Sequence, residues 1–313
     1  MDLIADIGAT NTRCALLDDN GQEFAPVVFQ NAESTGVAAV LNAYLGQRRA
    51  SDRPKRAALA VAAPIVGDHV QMINIDWQFS RAELTEQLVL TRLLIVNGFA
   101  AIAWALPHLR PPDLRKLGGG TAAPQSTLAT LGPGSGLGVS ALVPANDTWS
   151  VISGEGGHAT LAGVTEEEAA VVELIRKRTG QCVLESALSG PGLVNLYVAL
   201  AQLAGRGEPT VTPTDVTSLA RQGEPLARKT RAMFFAMLGT VAGDLALTLG
   251  ARGGVYIAGG IIPQLLDEFV KSSFRERFEA RAGYEAYMQA IPTYVITAAL
   301  PAFRGLRQLL GFR

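Results

Sequence analysis

An acid, a glycine and a run of hydroxyl and amide side chains stand together near the start of the chain, in Asp6-Ile7-Gly8-Ala9-Thr10-Asn11-Thr12. A carboxylate at a strand end can take one position on Mg2+, an ion that keeps several waters and needs only one or two carboxylates. Gly8 permits a close backbone approach to phosphate oxygens, and Thr10 and Asn11 add hydroxyl and amide groups. An ordinary hairpin with turn-favouring residues accounts for the same segment. A second segment, Leu131-Gly132-Pro133-Gly134-Ser135-Gly136-Leu137-Gly138, is more specific. Gly134, Ser135 and Gly136 leave backbone N–H groups bare between two apolar runs, a composition that suits phosphate. No lysine follows, so this is not a GxxxxGK[ST] loop, and it joins strand to strand where a dinucleotide fingerprint joins strand to helix. A flexible structural turn is its plain alternative.

Three further segments carry groups that could meet a polyol or a nucleoside. In Gly154-Glu155-Gly156-Gly157-His158 a carboxylate and an imidazole stand three residues apart. A carboxylate accepts from sugar hydroxyls, and a neutral imidazole donates or accepts. Metal ligation and a surface turn compete with that reading. The three histidines, His69, His108 and His158, show no HExxH spacing, so a metal cage has little support. Glu185 precedes Leu188-Ser189-Gly190-Pro191-Gly192, where Ser189 is also placed to cap a helix. Gly259 and Gly260 follow a short apolar run and suit either a flat ring lying close to the backbone or a tight turn.

The elements that must position these groups repeat. Residues 3–6, 12–17 and 23–30 read as strands separated by the turn at Gly8 and by Asn20-Gly21. A helix is expected at 37–47, a buried strand at 57–62, a helix at 81–88 capped by Ser80, a strand at 93–96 and a helix at 100–106. Pro107, Pro111, Pro112 and Gly118-Gly119-Gly120 mark a linker. Strands are then expected at 127–131, 137–143 and 148–152, helices at 165–178, 192–204 and 224–249, strands at 254–258 and 293–297, and a closing helix at 302–310. Each half opens strand, small-residue turn, strand, strand, which is a structural repeat.

The chain has 313 residues, of which 48% are hydrophobic and 18% charged, enough for a large core and roughly two domains. With 27 Lys and Arg against 28 Asp and Glu, it has no basic field to hold nucleic acid. Cys14 and Cys182 are too few for a disulfide scaffold and read as thiols of a reducing compartment. The acidic N-terminus does not resemble a signal peptide. Residues 232–249 are apolar and carry Gly239 and Gly243 at GxxxG spacing, but the central Asp244 would cost about 2.5–3.5 kcal/mol in a bilayer. A buried core helix, no membrane and a cytoplasmic location are expected.

In combination these segments resemble the bacterial glucokinase family, within the hexokinase–actin-like ATPase superfamily, over nearly the whole chain. The resemblance implies an α/β, two-lobed actin-like ATPase (ribonuclease H-like) fold with a duplicated mixed sheet and flanking helices. It implies a small lobe of residues 1–107 plus 299–313, a large lobe of 108–298 and a ligand cleft between them. It further implies ATP-dependent phosphorylation of glucose to glucose 6-phosphate, with ATP and Mg2+, and a homodimer. Asp6, Gly8, Thr10 and Asn11 would meet the phosphates, Asp6 also the metal, with Gly134, Ser135 and Gly136 opposite. Asn97, Glu155, His158 and Glu185 would hold the sugar, and Gly259 and Gly260 would lie under the adenosine. Related kinases and repressors with a cysteine zinc motif are a poorer match, because Cys14 and Cys182 cannot supply it. One position departs sharply from the family pattern Asn-Asp-Phe, whose aspartate is the general base. This chain reads Asn97-Gly98-Phe99. Gly98 cannot accept a proton, so the resemblance implies impaired catalysis or, alternatively, an inactive sugar- and nucleotide-binding sensor.

Overall fold

Strand β1 (Asp2–Ile7) is buried along almost its whole length, as a strand with both faces covered must be. The computed structural model, which describes residues 1–312, separates into two units. The first comprises Met1–Arg110, Val151–Gly154 and Ala298–Arg313, and the second Pro111–Ser150 and Glu155–Thr297.

In the first unit β1 is followed by β2 (Asn11–Leu17), β3 (Glu23–Gln30), α1 (Val37–Gly46), β4 (Arg56–Val61), β5 (His69–Gln71), β6 (Gln78–Ser80), α2 (Arg81–Gln87), β7 (Arg92–Asn97) and α3 (Gly98–Ala105). The sheet order is β3-β2-β1-β4-β7, with β5 and β6 forming a small hairpin apart. Strands β1 and β2 pair antiparallel, whereas β1, β4 and β7 run parallel. The two-residue side-chain period sorts the core. Leu3, Ala5 and Ile7 face one way and pack with Val40, Leu41 and Tyr44 of α1. Ile4, Ala58 and Ala60 face the other way, against Ala101 of α3 and Phe303 and Leu306 of the C-terminal helix, Pro301–Leu309. Gly305 lets that helix cross α3 closely, since a Cβ there would lie 1.8 Å from the Ala101 carbonyl oxygen.

The second unit repeats the plan with β8 (Leu114–Gly118), β9 (Leu128–Pro133), β10 (Leu137–Ala145), the start of β11 (Thr148–Gly154, whose residues 151–154 are counted with the first unit), α4 (Glu166–Thr179), α5 (Gly190–Leu203), α6 (Pro213–Arg221), α7 (Pro225–Leu249), β12 (Gly254–Ile257) and β13 (Thr293–Ile296). The order β11-β10-β9-β12-β13 matches β3-β2-β1-β4-β7 strand for strand, and β8 is added at the edge. The segment expected as a linker is thus partly sheet: β8 pairs antiparallel with β13. Its prolines stop in the turn before the strand, where no ladder hydrogen bond is lost, and Leu117 packs onto the core. Exposed Arg115 and Lys116 hide the strand from a periodicity reading, as edge strands often do.

Helix α7 is long and apolar enough to span a membrane, yet it packs against α5, α6 and the short helix Phe274–Glu279. The Gly239 and Gly243 spacing serves that approach: added Cβ atoms would lie 2.3 Å from the Phe274 carbonyl oxygen and 2.9 Å from that of Phe278. Asp244 pairs with Arg281 at 3.0 Å. A helix follows Gly259-Gly260 at Ile261–Gln264, as expected, whereas helix α6, with a Thr212 and Asp215 capping box, and the short helices between residues 266 and 290 were not legible from the apolar pattern.

Candidate active site

In the first unit the candidate residues lie on one edge of the sheet. The registers Ile7↔Val61 and Val61↔Asn97 bring the ends of β1, β4 and β7 level. The turn after Asp6 and the Asn97-Gly98 step therefore share that edge, about 10 Å apart across two strand spacings. The turn closes through the Gly8 N–H donating to the Asn11 carbonyl at 3.0 Å. Asp6 faces Arg13 across the hairpin, with the nearest ion-pair atoms 3.7 Å apart. Burial pushes the Asp6 carboxyl above its ordinary value, and Arg13 offsets part of that rise. Asn11 Oδ1 is buried without a hydrogen-bond partner in the same turn. A carboxylate and an amide oxygen are hard-oxygen donors of the kind that suit Mg2+ with its retained waters.

Asn97 caps α3: its Oδ1 accepts from the Phe99 N–H at 2.8 Å, and its Nδ2 donates to the Ala63 carbonyl at 3.2 Å. Both bonds hold the strand-to-helix step on which Gly98 is the first helical residue. A Cβ built at Gly98 finds its nearest neighbour, the Val61 carbonyl oxygen, 3.9 Å away. The position is small by sequence and open in space.

The second unit brings its candidates together more tightly. β9 turns into β10 through Gly134, Ser135 and Gly136, with the Gly134 N–H donating to the Gly136 carbonyl at 2.7 Å. Ser135 stands exposed at the apex. The first N–H of α5, on Gly190, donates to the Gly134 carbonyl at 2.8 Å. Glu185 Oε2 accepts from the Leu137 N–H at 2.7 Å. Glu185 and Ser189 are linked as well: the Ser189 hydroxyl donates to the Glu185 carbonyl and accepts from Gly192 N–H, so Ser189 is the helix cap that its position suggested.

His158 and Glu185 both act electrostatically on Glu155. Burial pushes the Glu155 carboxyl up, His158 pulls it down and the Glu185 carboxylate pushes it up again, leaving it above its ordinary value. The turn Gly156–His158 is tied by the His158 N–H donating to the Glu155 carbonyl at 3.0 Å. Gly259, in the left-handed region at φ 82°, lies against β9, where a Cβ would stand 2.3 Å from the Pro133 carbonyl oxygen. Gly260 precedes the short helix Ile261–Gln264 and faces open space. The Gly134–Gly136 turn, the Glu155 and His158 turn, Glu185 and the Gly259 step thus converge within this unit. The residue that sequence reasoning missed is Asn31, just past β3, whose side chain bonds to the Gly8 carbonyl and to Thr12. No local signal marks it, because its partners lie 23 and 19 residues away.

A profile of the family described as Glucokinase matches residues 3–311. A glucokinase of Paramagnetospirillum magneticum is 46% identical over 312 residues, covering 99% of this chain and 97% of that protein. A bifunctional protein glk of Paraburkholderia xenovorans is 44% identical over 313 residues, and this chain spans 48% of its length. The crystal structure of a glucokinase from an Antarctic psychrotroph has a TM-score of 0.87 to this chain at 33% identity, covering 99% of this chain and 98% of that one. The chain belongs to the glucokinase family. Its fold is the actin-like ATPase fold, α/β with a duplicated mixed sheet and flanking helices, as the resemblance implied.

Proposed function

We propose that this member of the glucokinase family transfers the γ-phosphoryl group of ATP to the 6-hydroxyl of glucose. The observation that carries the reading is the convergence of Glu155, His158 and Glu185 on the Gly134–Gly136 turn, through the Glu185 carboxylate on the Leu137 N–H. Carboxylates that accept from hydroxyls, beside backbone donors that accept no side chain, form a place for a polyol next to a place for phosphate. Glu155, His158, Glu185 and Asn97 hold the sugar. Gly134, Ser135 and Gly136 receive phosphate oxygens from one set of N–H groups, and Gly8, Thr10 and Asn11 from the other. Gly259 and Gly260 lie under the adenosine. Asp6 and the Asn11 amide oxygen would hold Mg2+, which would supply positive charge against the phosphates of the nucleotide.

Gly98 sets the rate. With no side chain there, the proton of the 6-hydroxyl leaves to solvent instead of to a positioned base, and positioning and charge stabilisation carry the remaining catalysis. The enzyme works in the cytoplasm as a homodimer, a compartment that suits two buried free thiols, Cys14 and Cys182. A coupled assay for glucose 6-phosphate, run beside calorimetry with glucose and Mg·AMPPNP, tests the function. Measurable product from the wild-type chain supports it. Binding of both ligands with no product, even in Gly98→Asp, would overturn it in favour of a sensor.

A further inference from the structure

The turn at residues 8–12 has one backbone hydrogen bond of its own, from the Gly8 N–H to the Asn11 carbonyl. Asn11 and Thr12 are also paired with the neighbouring strands, and three further hydrogen bonds come from a single residue outside the turn. Asn31 is 1% exposed, and its Nδ2 donates to the Gly8 carbonyl at 2.8 Å. Its Oδ1 accepts from the Thr12 hydroxyl at 2.8 Å, and its backbone N–H donates to the Thr10 carbonyl at 2.9 Å. We propose that Asn31 is a positioning residue that holds this turn in the form that receives the nucleotide phosphates. The inference deepens the kinase reading and rests on it.

The reason lies in the planarity of the peptide group. The carbonyl of one residue and the N–H of the next point in opposite directions across a trans peptide. Fixing the Gly8 carbonyl on Asn31 therefore turns the Ala9 N–H the opposite way, away from the brace. Fixing the Thr10 carbonyl does the same for the Asn11 N–H. A phosphate-binding turn works by presenting such donors already oriented, so that no reorganisation is needed when the ligand arrives. An asparagine suits the task because its amide offers a donor for the carbonyl and an acceptor for the hydroxyl at once. Aspartate keeps the acceptor, loses the donor and sets a negative charge against the Gly8 carbonyl and the incoming phosphates.

The position of Asn31 is itself set by a bulge. Between Cys14 and Leu16 on β2 the register on β3 moves from Val27 to Phe24, so β3 holds one extra residue. Ala25 takes the left-handed conformation at φ 52°, and the Tyr44 hydroxyl donates to its carbonyl at 2.9 Å. The extra residue moves the pairing along by one, sets Gln30 opposite Asn11 and leaves Asn31 beside Thr10.

Calorimetry with Mg·AMPPNP and, separately, glucose tests the assignment on the wild-type chain and on Asn31→Ala, Asn31→Asp, Thr12→Val and Thr12→Ser. Asn31→Ala is expected to weaken AMPPNP binding about tenfold, the weight of one ordered hydrogen bond, with glucose affinity unchanged. Asn31→Asp weakens it further, Thr12→Val weakens it less, and Thr12→Ser, which keeps the hydroxyl, behaves as wild type. A lower melting temperature with unaltered AMPPNP affinity would show a purely structural residue and overturn the proposal, as would equal losses for both ligands. Should Asn31→Ala not fold, the Thr12 pair decides: equal affinities in Val and Ser variants refute the brace. A wild-type chain that binds glucose but not AMPPNP overturns the kinase reading, and this assignment with it.

Discussion

The turn at residues 8–12 and the loop at residues 132–138 occupy matching places in two sheets of the same strand order, yet they are made rigid by different means. In the first unit polar side chains hold the turn: Asn31 and Thr12 bond to each other, and Asn31 bonds to the Gly8 carbonyl. In the second unit close approaches at glycines join one side-chain bond, from the Leu137 N–H to the Glu185 carboxylate. A Cβ would stand 2.2 Å from the Ala258 carbonyl oxygen at Gly132, 2.1 Å from that of Leu137 at Gly157 and 2.2 Å from Glu185 Oε2 at Gly136. The glycines of the first site meet far less, 3.2 Å at Gly8 and 3.9 Å at Gly98. Gly132, Gly136 and Gly157 of the second site are closed to an added side chain, whereas Gly98 of the first is open. A glycine is therefore no single signal: at Gly157 it is demanded by packing, whereas at Gly98 nothing in the surroundings demands it.

The largest expected effect comes from filling the open position. Gly98→Asp should raise kcat about 10²–10⁴-fold, or roughly 3–5 kcal/mol of barrier, with little change in glucose affinity and none in melting temperature. Steady-state kinetics and a thermal melt check both halves of that statement. A large loss of stability would show that the first site is as closed as the second.

Next in size is the ionic brace that the second unit does possess, away from its loops. The buried Glu168 carboxylate accepts from both Arg277 guanidinium nitrogens, at 2.7 and 3.0 Å. Glu168→Gln leaves Arg277 uncompensated and should cost about 3–5 kcal/mol in chemical denaturation at neutral pH. Burial pushes the Glu168 carboxyl up, but the Arg277 hydrogen bonds and the Val164 and Thr165 amides outweigh it and hold the group below its ordinary 4.5. The folded state thus binds this proton less readily than the unfolded chain. The contribution is full above the ordinary value and is lost as pH falls through the lower folded one. Stability of the wild type should fall faster than that of Glu168→Gln below pH 4.5, the ordinary value.

Gly157→Ala tests the closed region directly and should destabilise by about 1–3 kcal/mol, because the Leu137 carbonyl cannot move without disturbing β10. Gly8→Ala, facing a contact of 3.2 Å, should cost less than Gly157→Ala in the same melt. Equal costs would erase the distinction between the two regions. The smallest effect is expected at the bulge: Ala25→Gly relieves a left-handed alanine and should stabilise by less than about 1 kcal/mol, the gain being offset in part by a freer unfolded chain.

Much of the scaffold was legible before any coordinates. The apolar runs at residues 3–6 and 57–62 gave strands, Ser80 and Ser189 gave helix caps, and the two glycine-bearing turns marked the start of each repeat. The short strand β8 was not, since exposed Arg115 and Lys116 interrupt any alternation and its pairing with β13 joins segments far apart in the chain.

What the linear order of residues determined alone is the repertoire: a carboxylate and amides in the first turn, bare backbone in the second, an acid–imidazole pair, and a missing side chain at position 98. These are properties of residue type and short spacing, which local sterics and hydrogen bonding translate directly into turns and caps. Tertiary structure decided which of those groups meet. Glu185 reaches the Leu137 N–H across 48 positions, and Asn31 reaches the Gly8 carbonyl across 23. Such contacts depend on sheet register, on one bulged residue and on how closely neighbouring backbones can pass. No periodicity in the chain encodes them, because each arises from two distant segments folding against the same sheet.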